Sequence, residues 1–331
     1  MLGLGLNSVK TDTIFEPAAI PNFELWFNNR DDMISYANEV LSSFNSDVEN
    51  NKIVKETHGL QIGVPLRFDR TSNTTVGGTV LQEAALAATD GVYYVSETNF
   101  DENQFQLSTA PDGASSGNIT LAGSVDEGLQ CIVQNKISGW KDMTGTTWNT
   151  ITGYPTYNIA AKPSIHFNAD QGIGGSALTL DSSGGAALVW VCSMDAWDVA
   201  NLTMTASSSQ NFFKTSGTGA KLWSVKIGGT AKTVTMSSSA LTNGDKHVFI
   251  FNFRLDNGNT FLTSYTDGVL GEDQDFGNLD LDFVFDEIGF KSTGLAQGMN
   301  GKFYELLAYN KQLTNTEIVD LNAYLMAKHG L

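Results

Sequence analysis

Catalysis would require an acid and a base, or a nucleophile with its own base, held side by side. The histidines available for such chemistry are His58, His166, His247 and His329, and no motif supplies any of them with a partner. The sequence holds no P-loop, no HExxH motif and no G-x-S-x-G elbow. Residues 172–177 fit a loose G-x-G-x-x-A pattern, but the turn formers after them exclude the helix of a dinucleotide site, so we predict a turn.

Paired carboxylates are another route to hydrolysis, because a glycosidase uses two of them flanking the scissile bond. On a sheet scaffold they would share one face of a strand. The nearest pair here is Asp286 and Glu287. Adjacent side chains of a strand point to opposite faces of the sheet, which argues against a glycosidase. We therefore expect a protein that is not an enzyme.

An acidic run at residues 272–282 could supply oxygen ligands to Ca²⁺. Its candidate ligands are Asp273, Asp275, Asp280 and Asp282. The run does not match the loop of an EF-hand, and a solvated turn is the alternative interpretation. Calcium is the one cofactor that the sequence suggests, and we expect no other.

Aromatic rings exposed on loops could bind carbohydrate, since a sugar stacks on their apolar faces. The candidates are Trp148, Tyr154, Tyr157 and Trp197. Packing in the core competes with this role for each ring, because large aromatic side chains are mostly buried.

The net charge, the two cysteines and the apolar stretches indicate which partners and which cellular compartment to expect. The net charge of −17 repels nucleic-acid phosphates, and no Lys/Arg stripe offsets it, so we expect no nucleic-acid partner. Cys131 and Cys192 each lie in an apolar run, which predicts buried free thiols and production in the cytoplasm. The first residues do not resemble a signal peptide, and no apolar stretch approaches the ~18 residues of a membrane span, so we expect no membrane insertion.

The elements that must position these residues are mainly β-strands. With 33 Gly, 6 Pro and 17% charged residues, the composition favours short strands joined by many turns. The sequence Asp256-Asn257-Gly258 predicts a hairpin, because Asn and Gly tolerate positive φ. The one clear helix is the last, where Thr314 and Glu317 form a capping-box pattern and Gly330 ends the helix.

Before residue 136 the pattern is less regular. Residues 23–27 read as a first core strand after a weakly structured lead-in, and Asp31 and Asp32 could cap a short helical turn. Residues 42–46 resemble a turn, and a helix over 79–89 is the less favoured interpretation of that segment.

Several of these segments resemble the concanavalin A-like (laminin G-like) jelly-roll domains of phage structural proteins. The C-terminal signature is the most specific part, with a strand of the form G-x-hydrophobic-x-E-hydrophobic, a Tyr and a Leu-Thr-x-x-Glu helix start in that order. The resemblance is carried by residues 23–27, 135–145, 163–167, 301–310, 313–317 and 324–328.

A second resemblance lies within the first. Residues 57–68, 91–95 and 103–109 are similar to a small β module of phage virion proteins with the frame His-Gly-Phe, Tyr-Tyr-Val and Phe-x-Leu-Ser, although Leu60 replaces the usual aromatic residue. The resemblances imply a jelly-roll β-sandwich with an inserted small β domain and a short C-terminal helix. They divide the chain into an N-terminal arm and first strand at 1–41, the inserted module at 42–135 and the rest of the sandwich at 136–331.

Together the two modules imply a bacteriophage virion structural protein, located on the capsid as a decoration protein or on the tail or its fibres. Such a protein assembles in the host cytoplasm, contacts other virion proteins, and is expected to be a homo-oligomer, with a trimer as the favoured state. The alternative is a receptor-binding adhesin for a host-surface glycan, and a polysaccharide depolymerase is a weaker one.

Overall fold

The structure is a computed structural model in which antiparallel strands dominate and one α-helix closes the chain. The described residues are 15–29, 33–60, 62–69, 74–76, 79–80, 93–110, 113–123, 127, 129–158, 163–167, 171–180, 184–206, 211–216, 222–235, 241–279, 283–289 and 298–331.

The strands are mostly short before residue 129 and longer after residue 171. Their bounds are β1 Phe23–Asn28, β2 Ile34–Asp47, β3 Lys52–Val54, β4 Pro65–Asp69, β5 Thr74–Val76, β6 Thr79–Val80, β7 Tyr93–Val95, β8 Gln104–Phe105, β9 Leu107–Ser108, β10 Leu121–Gly123, β11 Leu129–Lys141, β12 Thr147–Trp148, β13 Thr150–Thr152, β14 Thr156–Asn158, β15 Ser164–Phe167, β16 Gly172–Leu180, β17 Ala186–Met194, β18 Leu202–Thr205, β19 Phe212–Thr215, β20 Leu222–Ile227, β21 Thr230–Thr235, β22 Lys246–Asp256, β23 Asn259–Thr266, β24 Val269–Asp275, β25 Phe283–Ile288 and β26 Gly301–Tyr309. The helix α1 is Asn315–His329.

Two large sheets face each other, and a small third one, β10-β5-β6, belongs to the first half of the chain. The larger sheet runs β24-β23-β22-β17-β26-β15-β14-β11-β2-β3-β8, with β1 beside β26, β12 and β4 beside β11, and β7 joining β4 to β9. The other large sheet has the order β13-β16-β25-β18-β19-β20-β21.

The sandwich core is the set of buried side chains between these two sheets. Trp190 and Phe251 enter it from the larger sheet, and Phe213 and Trp223 enter it from the other sheet. The ring centroid of Trp190 lies 5.1 Å from that of Phe213 and 5.5 Å from that of Trp223. Burial of each such side chain contributes roughly 1.5–3 kcal/mol, so this layer holds the two sheets together.

The helix face is the opposite side of the larger sheet, which α1 covers. Val189 and Ile250 of the sheet form one cluster with Ile318, Leu321 and Leu325 of the helix. Every residue of β17 is buried, because one face of the strand meets the sandwich core and the other meets α1. A continuous apolar run is the expected pattern for such a strand.

A separate cluster, the insert core, lies between Phe44 and Val133 and contains Leu66, Tyr93 and Phe105. The long strands β2 and β11 connect it to the sandwich, since Ile34 and Ile137 belong to the sandwich core. The limits of this cluster lie close to the predicted insertion at 42–135, and the division into domains stays a prediction.

Several sequence predictions are confirmed. The fold is mainly β, with a sandwich and a single C-terminal helix in the described part of the chain. The first core strand is β1, and Asn257 and Gly258 both take positive φ in the hairpin between β22 and β23. Thr314 and Glu317 form the predicted capping box, and Gly330 is the left-handed C-cap. Both cysteines are buried and free.

Three local predictions are wrong. Residues 33–36 form no helical turn, because Met33 is followed directly by β2. Residues 42–46 belong to β2 rather than to a turn, and the left-handed φ of Ser43 is accommodated where the pairing with β11 shifts register. Residues 172–177 open the strand β16 instead of a turn. Of the segment 79–89, residues 79–80 form a strand and the rest lies outside the described residues.

Candidate functional site

A groove of about 540 Å³ lies between the turn that joins β23 to β24 and one flank of α1. The turn contributes Asp267, Gly268 and the two residues that follow it, and the helix contributes side chains from Asn315 to Ala323. One wall is a tight turn between two strands of the larger sheet and the other is a helix packed on that sheet, so the groove is part of the scaffold rather than of a long loop.

Apolar side chains are left exposed at the rim of this groove. Val269 is 58% exposed, Leu270 is 59% exposed and Val319 is 65% exposed. Single exposed apolar residues are normal on a protein surface, but three around one concavity form a patch that can bind an apolar group.

The floor of the groove is made by a close approach between the turn and the helix. Gly268 has a φ of +80°, and a Cβ atom there would lie 2.7 Å from Nδ2 of Asn322. Glycine is needed at this position for both its φ and its lack of a side chain. The Oδ1 atom of Asn322 is buried and has no hydrogen-bond partner among the described residues.

Asp267 holds the turn against the start of β22. Its Oδ1 accepts a hydrogen bond from the backbone N–H of Val248 at 2.8 Å, and its Oδ2 lies 2.7 Å from Nδ1 of His247. The Nε2 atom of His247 is buried without a hydrogen-bond partner within the described ranges, and its ring lies 5.6 Å from that of Trp197. A buried ring nitrogen cannot reach a substrate in solvent, so this pair positions the turn rather than supplying a general base.

The C-terminal end of α1 is fixed by the fully buried carboxylate of Glu305 in β26. Trp26 Nε1 donates to it at 2.5 Å, Lys328 Nζ at 2.8 Å and His329 Nε2 at 2.7 Å. Burial alone would raise the pKa of Glu305, but the hydrogen bond from His329 and the charge of Lys328 outweigh burial and hold its pKa below the usual value.

The N-terminal end of α1 is fixed as well. The side-chain amide of Asn252 donates to Leu313 O at 3.0 Å and accepts from Leu313 N–H at 2.8 Å. Glu317 accepts from the backbone N–H of Thr314 at 2.8 Å and from Lys311 Nζ at 2.7 Å. With both ends held, the helix wall of the groove is rigid, and a rigid wall lowers the entropy cost of binding.

Three of the four predicted sugar platforms are wrong, because the structure buries their rings. Trp148 and Trp197 are fully buried, and Tyr157 is nearly so. Trp197 donates from Nε1 to Thr242 O at 3.0 Å, and Tyr157 donates to Asn29 O at 2.9 Å. These three rings are part of the core, and a ring enclosed by other side chains cannot stack on a sugar.

Tyr154 is the remaining aromatic candidate. It is half-buried, and the ammonium group of Lys136 lies 4.4 Å from the centre of its ring. Burial raises the pKa of its hydroxyl, and the nearby charge of Glu39 adds to that effect. Its role in carbohydrate binding stays a prediction.

The predicted calcium ligands fall into two groups. Both carboxylate oxygens of Asp273 are engaged by Arg254, at 2.6 and 2.7 Å, and Asp275 accepts from the Gly277 N–H at 2.7 Å. Asp280 and Asp282 lie outside the described residues. The part of the chain that the structure describes contains no cluster of three or more His, Cys, Asp or Glu suited to a metal, and the four-aspartate site stays a prediction.

The expectation that Asp286 and Glu287 point to opposite faces stays a prediction, because the strand is irregular around them. Phe285 and Ile288 are both buried in the sandwich core, so the regular alternation fails between them. The pairing of β25 with β16 shifts register at this place, and both carboxylate residues are only half-buried. Strand alternation therefore cannot be used to exclude a glycosidase on the basis of this pair.

The groove was missed by sequence reasoning because its walls come from residues about fifty positions apart. The available signal was the Asp267-Gly268 pair, a turn sequence followed at once by two apolar residues. In the same way, the C-terminal signature pointed to Glu305 and Lys328 without showing that they form one buried cluster.

Within the described ranges, no helix combines the length and hydropathy needed to span a membrane. No family model matches the chain, and no curated protein matches it.

Solved structures show a partial likeness. Domain 4 of AbnA, a GH43 extracellular arabinanase from Geobacillus stearothermophilus in complex with arabinotriose, is 16% identical over 55% of this chain and 92% of that one, with a TM-score of 0.41. The Trypanosoma rangeli sialidase in complex with sialic acid is 14% identical over 57% of this chain and 31% of that one, with a TM-score of 0.38. The receptor-binding domain of a botulinum neurotoxin C/D mosaic serotype is 15% identical over 57% of this chain and 49% of that one, with a TM-score of 0.40. Likeness at this level assigns no function to the chain.

Proposed function

We propose that this chain is a structural protein of a bacteriophage particle, on the capsid or the tail, and that it acts by contact with other particle proteins rather than by catalysis. The phage setting rests on the two resemblances in the sequence. The mode of action rests on the groove beside α1, where apolar side chains are exposed on rigid walls.

The groove supports contact better than chemistry. Its one charged side chain, Asp267, already accepts hydrogen bonds from Val248 and pairs with His247. The rim offers Val269, Leu270 and Val319, which suit an apolar anchor of a partner protein. The net charge of −17 favours a partner whose surface around that anchor is basic.

The composition of purified particles tests this proposal. Mass spectrometry of particles from the host that carries the gene should detect the chain in a fixed ratio to the major capsid protein. Absence of the chain from particles that contain all other structural proteins would overturn the proposal.

A variant series tests the groove itself. Val319→Lys and Leu270→Lys should reduce incorporation into particles by about tenfold, because each places a charge where an apolar anchor binds. Leu255→Lys is the matched control, since Leu255 is also exposed but lies outside the groove. Equal incorporation of all three variants would remove the groove from the proposal.

The alternative of glycan binding is tested by an array of host-surface glycans. Its candidate residue from the sequence is the half-buried Tyr154. A reproducible ligand whose binding is lost in Tyr154→Ala would replace assembly with adhesion as the main function. Release of reducing sugar from host envelope would establish a depolymerase instead.

A further inference from the structure

The strand β2 has one paired edge and one open edge. It pairs with β11 along its length from Ile34 to Phe44, whereas β3 pairs only with Asn45–Asp47 on the other side. Between residues 34 and 44, no strand among the described residues pairs with that second edge. An edge of this length presents backbone N–H and C=O groups that can pair with another strand.

This part of β2 is open to solvent. Of the nine residues from Ser35 to Ser43, seven are exposed and two are half-buried. The exposed residues include two large apolar side chains, Tyr36 at 36% and Val40 at 57% exposure. None of these nine residues is a buried member of the sandwich core or of the insert core, and Leu41 alone packs against the insert core.

Most of the usual protections of an edge strand are missing here, and the exception is Lys55, whose Nζ donates to Ser42 O at 2.7 Å near the end of the segment. Natural edges carry Lys or Pro, or are covered by another element, so that they do not pair with other chains. Residues 35–43 contain no Lys, Arg or Pro, and the charge of their one acidic residue, Glu39, is paired with Lys136. An exposed edge without these devices indicates that another strand covers it in the working protein.

The residue order around Asn38 is self-complementary. Side chains alternate along a strand, so Tyr36, Asn38 and Val40 share one face, where the Tyr36 ring lies 5.0 Å from that of Tyr157. In an antiparallel pair centred on Asn38, Tyr36 of one copy lies opposite Val40 of the other, and Ala37 lies opposite Glu39. Aromatic and β-branched residues form favourable cross-strand pairs, and no like charges meet.

We propose that two copies of this chain pair through the open edges of their β2 strands, antiparallel, about a two-fold axis at Asn38. The pairing joins the larger sheets of the two copies into one continuous sheet. A contact of this kind uses the same patch on both copies and closes as a dimer, so it differs from the trimer expected from the sequence. The proposal is independent of the role in the particle, because it concerns the purified protein alone.

Sedimentation equilibrium of the purified full chain tests the contact. We expect the wild type to sediment as a dimer of the 35.7 kDa chain at about 100 µM. Asn38→Lys should weaken the dimer at least about tenfold, since it places two like charges directly opposite each other at the axis. Leu255→Lys, at the exposed end of β22, should leave the dimer unchanged, and the circular dichroism of both variants should match that of the wild type.

A cysteine scan tests the register. In the proposed pair the two Asn38 Cβ atoms lie about 4.5–5.5 Å apart, so Asn38→Cys should form an intermolecular disulfide under mild oxidation. The two Ser35 positions lie six residues apart along the strands, about 20 Å, so Ser35→Cys should stay uncrosslinked. Cys131 and Cys192 are buried and give little background.

Each outcome decides the proposal. A wild type that is a monomer at about 100 µM, or a trimer, would overturn it, as would a dimer that Asn38→Lys leaves intact. Crosslinking at Ser35 without crosslinking at Asn38 would overturn the register.

Discussion

The insert core and the helix face each enclose a histidine, but the two rings are held in opposite ways. His58 packs against Phe100 and Phe105 at the insert core, and its partners are backbone groups. His329 ends α1 and meets the buried carboxylate of Glu305. One region depends on a ring that must stay neutral, whereas the other depends on a carboxylate that must stay charged.

The geometry fixes the protonation of His58. The backbone N–H of Leu60 donates to Nδ1 at 3.0 Å, so Nδ1 carries no proton. Nε2 then carries the proton and donates to Asp101 O at 2.8 Å. Burial lowers the pKa of His58, because the charged ring would lose its hydration without gaining a counter-charge that makes up for the loss.

A histidine can therefore stabilise a fold either as a neutral ring bonded to backbone groups, like His58, or beside an ionised carboxylate, like His329. Both regions lose stability in acid, but in separate pH windows. The insert core weakens as pH falls through the usual His pKa of about 6.5, and the helix face weakens only below the usual Glu pKa of about 4.3.

The largest expected effect comes from breaking the charged cluster. Glu305→Gln leaves Lys328 and His329 without their carboxylate, and removal of one partner from a buried ion pair costs about 3–5 kcal/mol in the free energy of unfolding. Urea unfolding measures this loss. Glu24→Gln is the matched control, because Glu24 is exposed on β1 and its replacement should cost less than about 0.5 kcal/mol.

The same variant tests the pH window. The folded-state pKa of Glu305 lies below its unfolded value, so its contribution is present above about pH 4.3 and is lost as pH falls through the folded pKa. Glu305→Gln should therefore flatten the acid limb of the stability profile. A variant as stable as the wild type would show that the cluster does not hold α1.

The next effect concerns the neutral ring. His58→Ala leaves Leu60 N–H and Asp101 O without their partner, and an unsatisfied buried group costs about 1–3 kcal/mol. Thermal unfolding should show the loss, and amide exchange should rise in the insert core rather than in α1. Glu56→Ala, at an exposed neighbouring position, serves as the control. Equal exchange in both regions would mean that the two cores unfold as one unit.

A smaller effect should appear in the pH dependence of the wild type. The unfolded His58 gains a proton as pH falls through about 6.5, while the folded ring stays neutral until its lower pKa is reached. Stability should fall by at most about 1.4 kcal/mol per pH unit across that window, and His58→Ala should lack this component. Titration of the His58 ring by NMR checks the sign, since a pKa above 6.5 would reverse it.

The smallest effect is expected from calcium. Arg254 occupies both carboxylate oxygens of Asp273, so Ca²⁺ would have to displace a guanidinium group to bind there. Millimolar Ca²⁺ should change Tm by less than about 1 °C relative to a sample with chelator. A rise of several degrees would instead establish the acidic run as a calcium site.

The sequence predicted best where a structure is local. The capping box of Thr314 and Glu317 and the Asn257-Gly258 hairpin depend on residues within four positions of one another. The sequence predicts a turn at residues 172–177, where the structure has the start of β16. The glycines there favour a turn locally, and the sequence does not show which strands lie beside them. Pairing with β13 and β25 overrides that local preference.

The candidate site was harder to predict, because exposure is a property of the whole fold. Trp197 follows a buried strand and looked suited to a loop platform, yet it packs against His247 and Phe249 from β22. Leu270 has an apolar side chain of the kind usually found in a core, yet it is exposed at the groove. No spacing in the sequence brings Gly268 to Asn322, and that contact shapes the floor of the groove.

Cryo-electron microscopy of purified particles tests most directly the claim that this chain works through surface contact. We predict that the density places the chain on the particle, with Val269, Leu270 and Val319 covered by a side chain of another particle protein. A structure of the particle in which this chain is present and these three side chains face solvent would contradict the account.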